Sequence, residues 1–257
     1  MSFSEQIVYA MFKPSKYKEM LELKKSRFVV FVIVLMLALG IVRVAVPTAA
    51  VITGFGGFEN LFINKISPME YKDDKLSIEE KFEMSVGTYK VIIDTEDSRF
   101  PDEKMRRKGG YLAFGSEYMT LAYNVGGRVT RYQEIKLDSF LSEGFNNESL
   151  QKMIPFIYSY IVFMFIASCG VYFVKYALLS LIFGFFVNSI NKKAGIGLSF
   201  GEVFKLCFYG QTLGIIISNF NMALGFLPVI LVSGVCVVLS VNMILSGIFA
   251  IGKTKQP

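Results

Sequence analysis

Residues 153–191 read MIPFIYSYIVFMFIASCGVYFVKYALLSLIFGFFVNSIN, a block whose one charged side chain is Lys175. As a single α-helix it would measure ~58 Å, against a bilayer hydrocarbon core of ~30 Å. Two short spans would need a turn. Yet the middle, Gly170-Val171-Tyr172-Phe173-Val174-Lys175-Tyr176-Ala177, holds no proline, asparagine or glycine pair to make one. The block therefore predicts one long tilted helix projecting past an interface, with two short spans as the alternative. Either form requires a bilayer, which excludes a soluble enzyme.

The rest of the chain agrees. Of 257 residues 53% are apolar and 19% charged, below the ~25% charged share of soluble domains. Upstream, Phe28 to about Val46 predicts a first span ending at Pro47, with Arg43 late enough to snorkel to the headgroups. Six Lys/Arg against Glu5, Glu19 and Glu22 in residues 1–27 place its start in the cytoplasm. Thr48-Ala49-Ala50 is small enough for a signal-peptidase site, but the long flank and the arginine fit an uncleaved anchor. Downstream come Lys192 and Lys193, the link Gly195-Ile196-Gly197, a span from about Val203 to Asn221, an uncharged turn from Asn221 to Gly225, and a last span, Phe226 to Ile251, before Lys253 and Lys255. Four spans put both lysine pairs in the cytoplasm and five put both outside, so the positive-inside rule favours four.

Phe3, Ile7 and Met11 would share one apolar helix face, which Pro14 ends. Ser15 is placed to cap a second helix, Lys16 to Arg27, and this preface is expected to lie along the inner membrane surface. A frayed tail is the competing reading for residues 1–12.

Residues 51–152 carry 17 of the 21 acidic residues and a net charge of −3. Candidate strands are Lys75 to Ile78, Tyr89 to Asp94, Gly110 to Phe114, Tyr118 to Tyr123 and Val129 to Ile135, with Asn124-Val125-Gly126-Gly127 as a hairpin signal. The predicted architecture is an α-helical integral membrane bundle with an inserted extracytoplasmic β-rich domain. Its parts are a cytoplasmic amphipathic segment (1–27), a first span (28–50), the β-rich domain (51–152) and a helical membrane domain (153–257).

Chemical vocabulary is sparse. Histidine is absent, and Cys169, Cys207 and Cys236 all lie in apolar runs, so no triad, disulfide framework or CxxC site is present. No catalytic residue, cofactor or metal site is expected. The polar candidates at membrane depth are Lys175, Glu202, Gln211, Asn219 and Asn242, with Thr212 beside them. Lys175 is either functional or a residue that snorkels to the inner headgroups. Glu202 either pairs with Lys205 one turn on or serves a coupling ion. The amides read as interhelical glue, helped by Gly197-x-x-x-Gly201 and Gly210-x-x-x-Gly214, or as a substrate path. In the β-rich domain Asp94, Thr95, Glu96 and Asp97 either close a turn or offer oxygens to an ion. Lys104, Arg106, Arg107 and Lys108 form a basic loop facing solvent or phosphate groups.

The net charge of +6 lies beside the apolar helices, which points to anionic headgroups of the lipid bilayer and away from nucleic acid. A membrane-protein partner or a second copy is the other expected contact.

Met11-Phe12-Lys13-Pro14, Lys75-Leu76-Ser77-Ile78 with Val91-Ile92-Ile93-Asp94-Thr95, and Phe204-Lys205-Leu206-Cys207-Phe208-Tyr209 resemble an uncharacterised family of Gram-positive bacterial membrane proteins. Some of its members carry the description maltodextrin-utilisation membrane protein. The resemblance implies a bacterial plasma-membrane location and an association with sugar uptake, without a mechanism. Residues 195–247 also distantly resemble a Yip-type membrane domain through Gly197-Leu198-Ser199-Phe200, although the proline expected in the following span appears only at Pro228. Two functions follow as expectations: a non-enzymatic membrane protein with a surface-exposed sensing or binding domain, accessory to solute uptake, or a small oligomeric transporter or channel.

Overall fold

A computed structural model describes residues 1–86, 89–101, 109–125, 128–224 and 227–253. The basic run at 104–108, the Gly126-Gly127 turn, Gly225 and Lys255 lie outside the described residues. The chain divides into a helical unit, Met1–Thr48 with Ile161–Pro257, and a β-rich unit, Ala49–Tyr160. Among the described residues four helices are long and apolar enough to cross a membrane: Lys25–Gly54, Ile154–Lys193, Phe200–Asn221 and Val229–Lys253.

The N-terminal helix α1 (Phe3–Phe12) opens with a capping box in which Glu5 N–H donates to Ser2 Oγ (3.2 Å) and Ser2 N–H donates to the Glu5 carboxylate (2.6 Å). A 3-10 turn at Pro14–Lys16 and the short α2 (Tyr17–Leu21) follow, so no continuous helix runs from Lys16 to Arg27. Ser15 caps nothing, because it sits inside that turn and the residue before α2, Lys16, already has helical backbone angles. Nor is the segment only a surface helix. Gln6 and Ala10 are buried, Gln6 Nε2 donates to Tyr209 Oη (2.8 Å), and Tyr17 Oη donates to the Ala10 carbonyl (2.7 Å).

The first span begins with helix α3 (Lys25–Gly40) and runs on to Gly54, past Pro47 where it was expected to end. A π-helical turn, Ile41–Ala45, leads into α4 (Val46–Gly54) and leaves Pro47 in that helix's first turn. In the π-helical turn Val46 N–H, just before the proline, donates to the Ile41 carbonyl five residues back. Helix α3 buries Phe31, Val32, Leu35, Met36, Leu39 and Gly40, one stripe at helical spacing.

The β-rich unit begins with the short α5 (Phe58–Asn60) and a π-helical turn, Leu61–Lys65. Strands β1 (Met69–Lys72), β2 (Lys75–Ile78) and β8 (Phe145–Asn146) form a three-stranded sheet in the order β2-β1-β8. Strands β3 (Phe82–Val86), β4 (Tyr89–Ile93), β5 (Gly109–Phe114), β6 (Tyr118–Val125) and β7 (Arg128–Lys136) form a second sheet in chain order. Its β4–β5 pair is parallel and its other pairs antiparallel. Alternation along the strands makes both faces apolar. Ile92, Tyr111, Ala113 and Ala122 pack with Phe100 on one face, while Ile93 joins Leu61, Met69, Tyr71, Leu76 and Leu137 on the other. The unit ends in α6 (Asn147–Lys152).

Helix α7 (Ile154–Lys193) is continuous over 40 residues, as the absent turn signal required. It is followed by α8 (Phe200–Leu224) and α9 (Val229–Lys253). Each connection is closed by a buried asparagine. Asn191 donates to the Leu198 carbonyl (2.8 Å) and accepts from Leu198 N–H (3.0 Å); Asn221 does the same with Leu227 (3.0 and 2.9 Å).

Candidate functional site: a polar cavity among three helices

Three helices of the helical unit each turn one face, apolar on α7 apart from Tyr176 and polar or small on α8 and α9, toward a shared hollow. The residues concerned are Tyr176, Leu179 and Phe183 on α7, Gln211, Gly214 and Ser218 on α8, and Ser233, Cys236 and Ser240 on α9. Spacings of three, four and seven put each set on one face. Together with Lys175 they line a cavity of about 210 Å³. At ~30 Å³ per water it has room for a few water molecules.

The α8–α9 wall is tight because of two glycines. A Cβ on Gly214 would lie 2.7 Å from Ser240 Oγ and 2.9 Å from the Cys236 carbonyl, and one on Gly210 would strike Ile244. Gly210-x-x-x-Gly214 thus provides the close approach expected of it. Gly197-x-x-x-Gly201 does not: Gly197 sits in the connecting loop at φ +72°, and a Cβ on Gly201 meets nothing within 4 Å.

Hydrogen bonds stitch the polar groups together. Gln211 Nε2 donates to Ser180 Oγ (2.7 Å) and to the Cys207 carbonyl (3.1 Å). Asn219 Nδ2 donates to Tyr176 Oη (3.0 Å) and to the Ile215 carbonyl (2.7 Å). The Asn219–Tyr176 bond also sets the level of Lys175 along the helices. Tyr176 faces Asn219 near the end of α8, and α8 begins beside the Lys192–Lys193 end of α7. Lys175 therefore stands eighteen residues from Lys193, about 27 Å along the helix. Lys175 is exposed, with Nζ 5.2 Å from the Tyr176 ring centroid. One turn earlier the Arg43 guanidinium lies 5.7 Å from the Tyr172 ring centroid. Two cations and two tyrosines at one level have the composition of a membrane-interface belt.

The other candidates lie elsewhere. Glu202 accepts hydrogen bonds from Ser199 N–H (2.8 Å) and Ser199 Oγ (2.7 Å), a capping box that starts α8. Lys205 lies with Nζ 5.9 Å from the Phe28 ring centroid. Thr212 is buried and donates to the Phe208 carbonyl (3.4 Å), and Asn242 is exposed on α9.

In the β-rich unit Asp94 is 4% exposed, pairs with Lys81 (3.1 Å) and accepts from Glu96 N–H (3.4 Å). Ser116 N–H donates to the Asp97 carbonyl (2.9 Å), and Gly115 is pressed against the Asp97 and Ser98 carbonyls. Asp94, Thr95, Glu96 and Asp97 thus form a turn clasped to residues 115–118. No group of three His, Cys, Asp or Glu able to hold a metal occurs among the described residues.

Chemically the cavity offers an ammonium, several hydroxyls, an amide and a thiol, without a carboxylate. Such a lining can hold water or an anionic or neutral polar group. These features define a multi-pass membrane protein with four candidate spans and an inserted β-sheet region. Residues 5–251 match the family described as "Protein of unknown function (DUF1189)", and the chain belongs to that family. No curated protein and no solved structure matches it.

Proposed function

We propose that this chain is a non-enzymatic membrane protein of the bacterial plasma membrane, accessory to solute uptake. Its β-rich unit is a sensing or binding surface outside the cytoplasm, and its helical unit engages a membrane-protein partner. One observation carries the reading: the buried amides of the helical unit bond to neighbouring helices and loops, as interhelical glue does, and the cavity that Gln211 lines has a volume of about 210 Å³. The lysine pairs at the chain's inner loop and end support cytoplasmic termini, and the family resemblance at Lys75-Leu76-Ser77-Ile78 and Val91 to Thr95 supports the link to sugar uptake.

A small oligomeric transporter is the second reading, favoured by Lys175 on the cavity wall. Flux into proteoliposomes separates the two: the purified chain alone should move no labelled maltodextrin or ion, and carrier-mediated flux would overturn the accessory role. Topology is tested in a background with the three native cysteines replaced by alanine. A cysteine introduced at Gly197 should need a membrane-permeant reagent, and one at Glu143 should not. Impermeant labelling at Gly197 would reverse the orientation.

A further inference from the structure

A second hollow in the helical unit differs from the first in kind. It holds about 470 Å³ and is lined by apolar side chains from three helices, among them Phe28, Ile33 and Met36 of α3, Cys169 and Phe173 of α7, and Phe208 of α8. One end is set by Phe28, whose ring meets Phe208 edge-on at 5.7 Å. The other is set by Leu37 of α3 and Cys169 of α7. From Phe28 to Leu37 is nine residues, about 14 Å of helix, which compares with ~15 Å for half a hydrocarbon core. The groove thus has the length of one leaflet's acyl chain.

Its Phe28 end is cationic. Lys205 Nζ lies 5.9 Å from the Phe28 ring centroid, and Lys24, Lys25 and Arg27 occupy the residues just before it. None of these four is in an ion pair among the described residues. An apolar slot of leaflet depth, headed by unneutralised cations, complements a lipid with an anionic headgroup. We propose that this groove binds one acyl chain of an anionic phospholipid, with the headgroup phosphate held at Lys205 and Arg27.

The chain contains no tryptophan, so one introduced residue reports cleanly. The full-length Ile33→Trp variant places the reporter in the groove, and Val238→Trp, at a position 68% exposed on α9, reports general lipid contact. Both are reconstituted in phosphatidylcholine containing equal mole fractions of phosphatidylglycerol or phosphatidylcholine with brominated acyl chains. In Ile33→Trp, brominated phosphatidylglycerol should behave as though enriched roughly fivefold over brominated phosphatidylcholine, the effect of one basic side chain at a lipid surface. In Val238→Trp the two lipids should quench alike. Adding Lys205→Gln to Ile33→Trp should remove most of the preference; Arg27→Gln is the second variant should the first fail to fold. Equal quenching by the two lipids in Ile33→Trp would overturn the proposal, as would shielding from both by a second copy of the chain.

Discussion

The two units treat buried polar groups differently. In the helical unit Gln6, Gln211 and Asn219 bond to side chains of other helices, while Asn191 and Asn221 each clamp a loop through two bonds. In the β-rich unit Tyr71 Oη and Thr120 Oγ1 are buried without a hydrogen-bond partner among the described residues. Inside a bilayer no water can meet a stranded polar group, so each must be satisfied by protein. The β-rich unit carries its orphan hydroxyls at some cost, offset by two apolar sheet faces. The contrast teaches where stability resides: in matched pairs and close helix approach in one unit, in apolar packing in the other.

The sharpest way to break this comparison is to force α8 and α9 apart. Gly214→Leu would drive a side chain into the Cys236 backbone carbonyl, which cannot swing aside as a side chain can. Overpacking of this kind costs typically ~1–3 kcal/mol, with the upper end expected here. Thermal unfolding of the full chain in detergent should show a large drop for Gly214→Leu and almost none for Gly201→Leu, whose Cβ meets nothing. Equal effects at the two glycines would mean that close approach at Gly214 is not what holds the hairpin.

Opposite signs are expected for the next pair of changes. A double-mutant cycle with Asn219→Leu and Tyr176→Phe should give a favourable coupling of about 0.6 kcal/mol, with ~1.7 as the upper bound seen for bonds within membranes. Thr120→Val should be neutral or stabilising, because it removes a hydroxyl that is 0% exposed and unpaired among the described residues. A loss of more than about 1 kcal/mol on Thr120→Val would reveal a bond to that hydroxyl and would erase the difference between the units.

Much of the architecture was legible because apolar length is a strong signal: α7 followed from a block with no turn residue in its middle. Which helices face one another was not legible. Lys175 can be placed only once Tyr176 is seen to meet Asn219, since hydropathy does not say which half of a 40-residue helix has neighbours. Five strands were readable from alternation. Strand β1 was missed because Met69-Glu70-Tyr71-Lys72 is short and half charged, and its hairpin turns on Asp73 and Asp74 at φ +52° and +61° instead of the usual Asn-Gly. The cavity was half visible. Lys175 and Gln211 were singled out, whereas Ser233, Cys236 and Ser240 resemble filler in an apolar helix until a partner helix shows which face they occupy. At the N-terminus the Ser2-x-x-Glu5 signature in the sequence marks the capping box that the structure forms, and Ser15 forms none.

The smallest expected effect lies at that N-terminus, where water reaches the polar pair and pairing should count least. Hydrogen bonds from the Ser2 backbone N–H and hydroxyl hold the Glu5 carboxyl below its ordinary value of 4.5. A carboxyl whose folded pKa is depressed contributes its stabilisation in full above the unfolded value and loses it as the pH falls through the folded one. The capping box should therefore be intact at neutral pH and weaken only below about pH 4.5. Because Glu5 is fully solvent-accessible and Gln6 still ties α1 to Tyr209, the global unfolding temperature should not register the change. Amide exchange should register it: protection factors in the first turn of α1 are expected to be constant from pH 7 to 5 and to fall below that range. Ser2→Ala should lower them already at pH 7 and flatten the dependence. A pH dependence of the same size in Ser2→Ala would place the titrating contact elsewhere and leave the box without an energetic role.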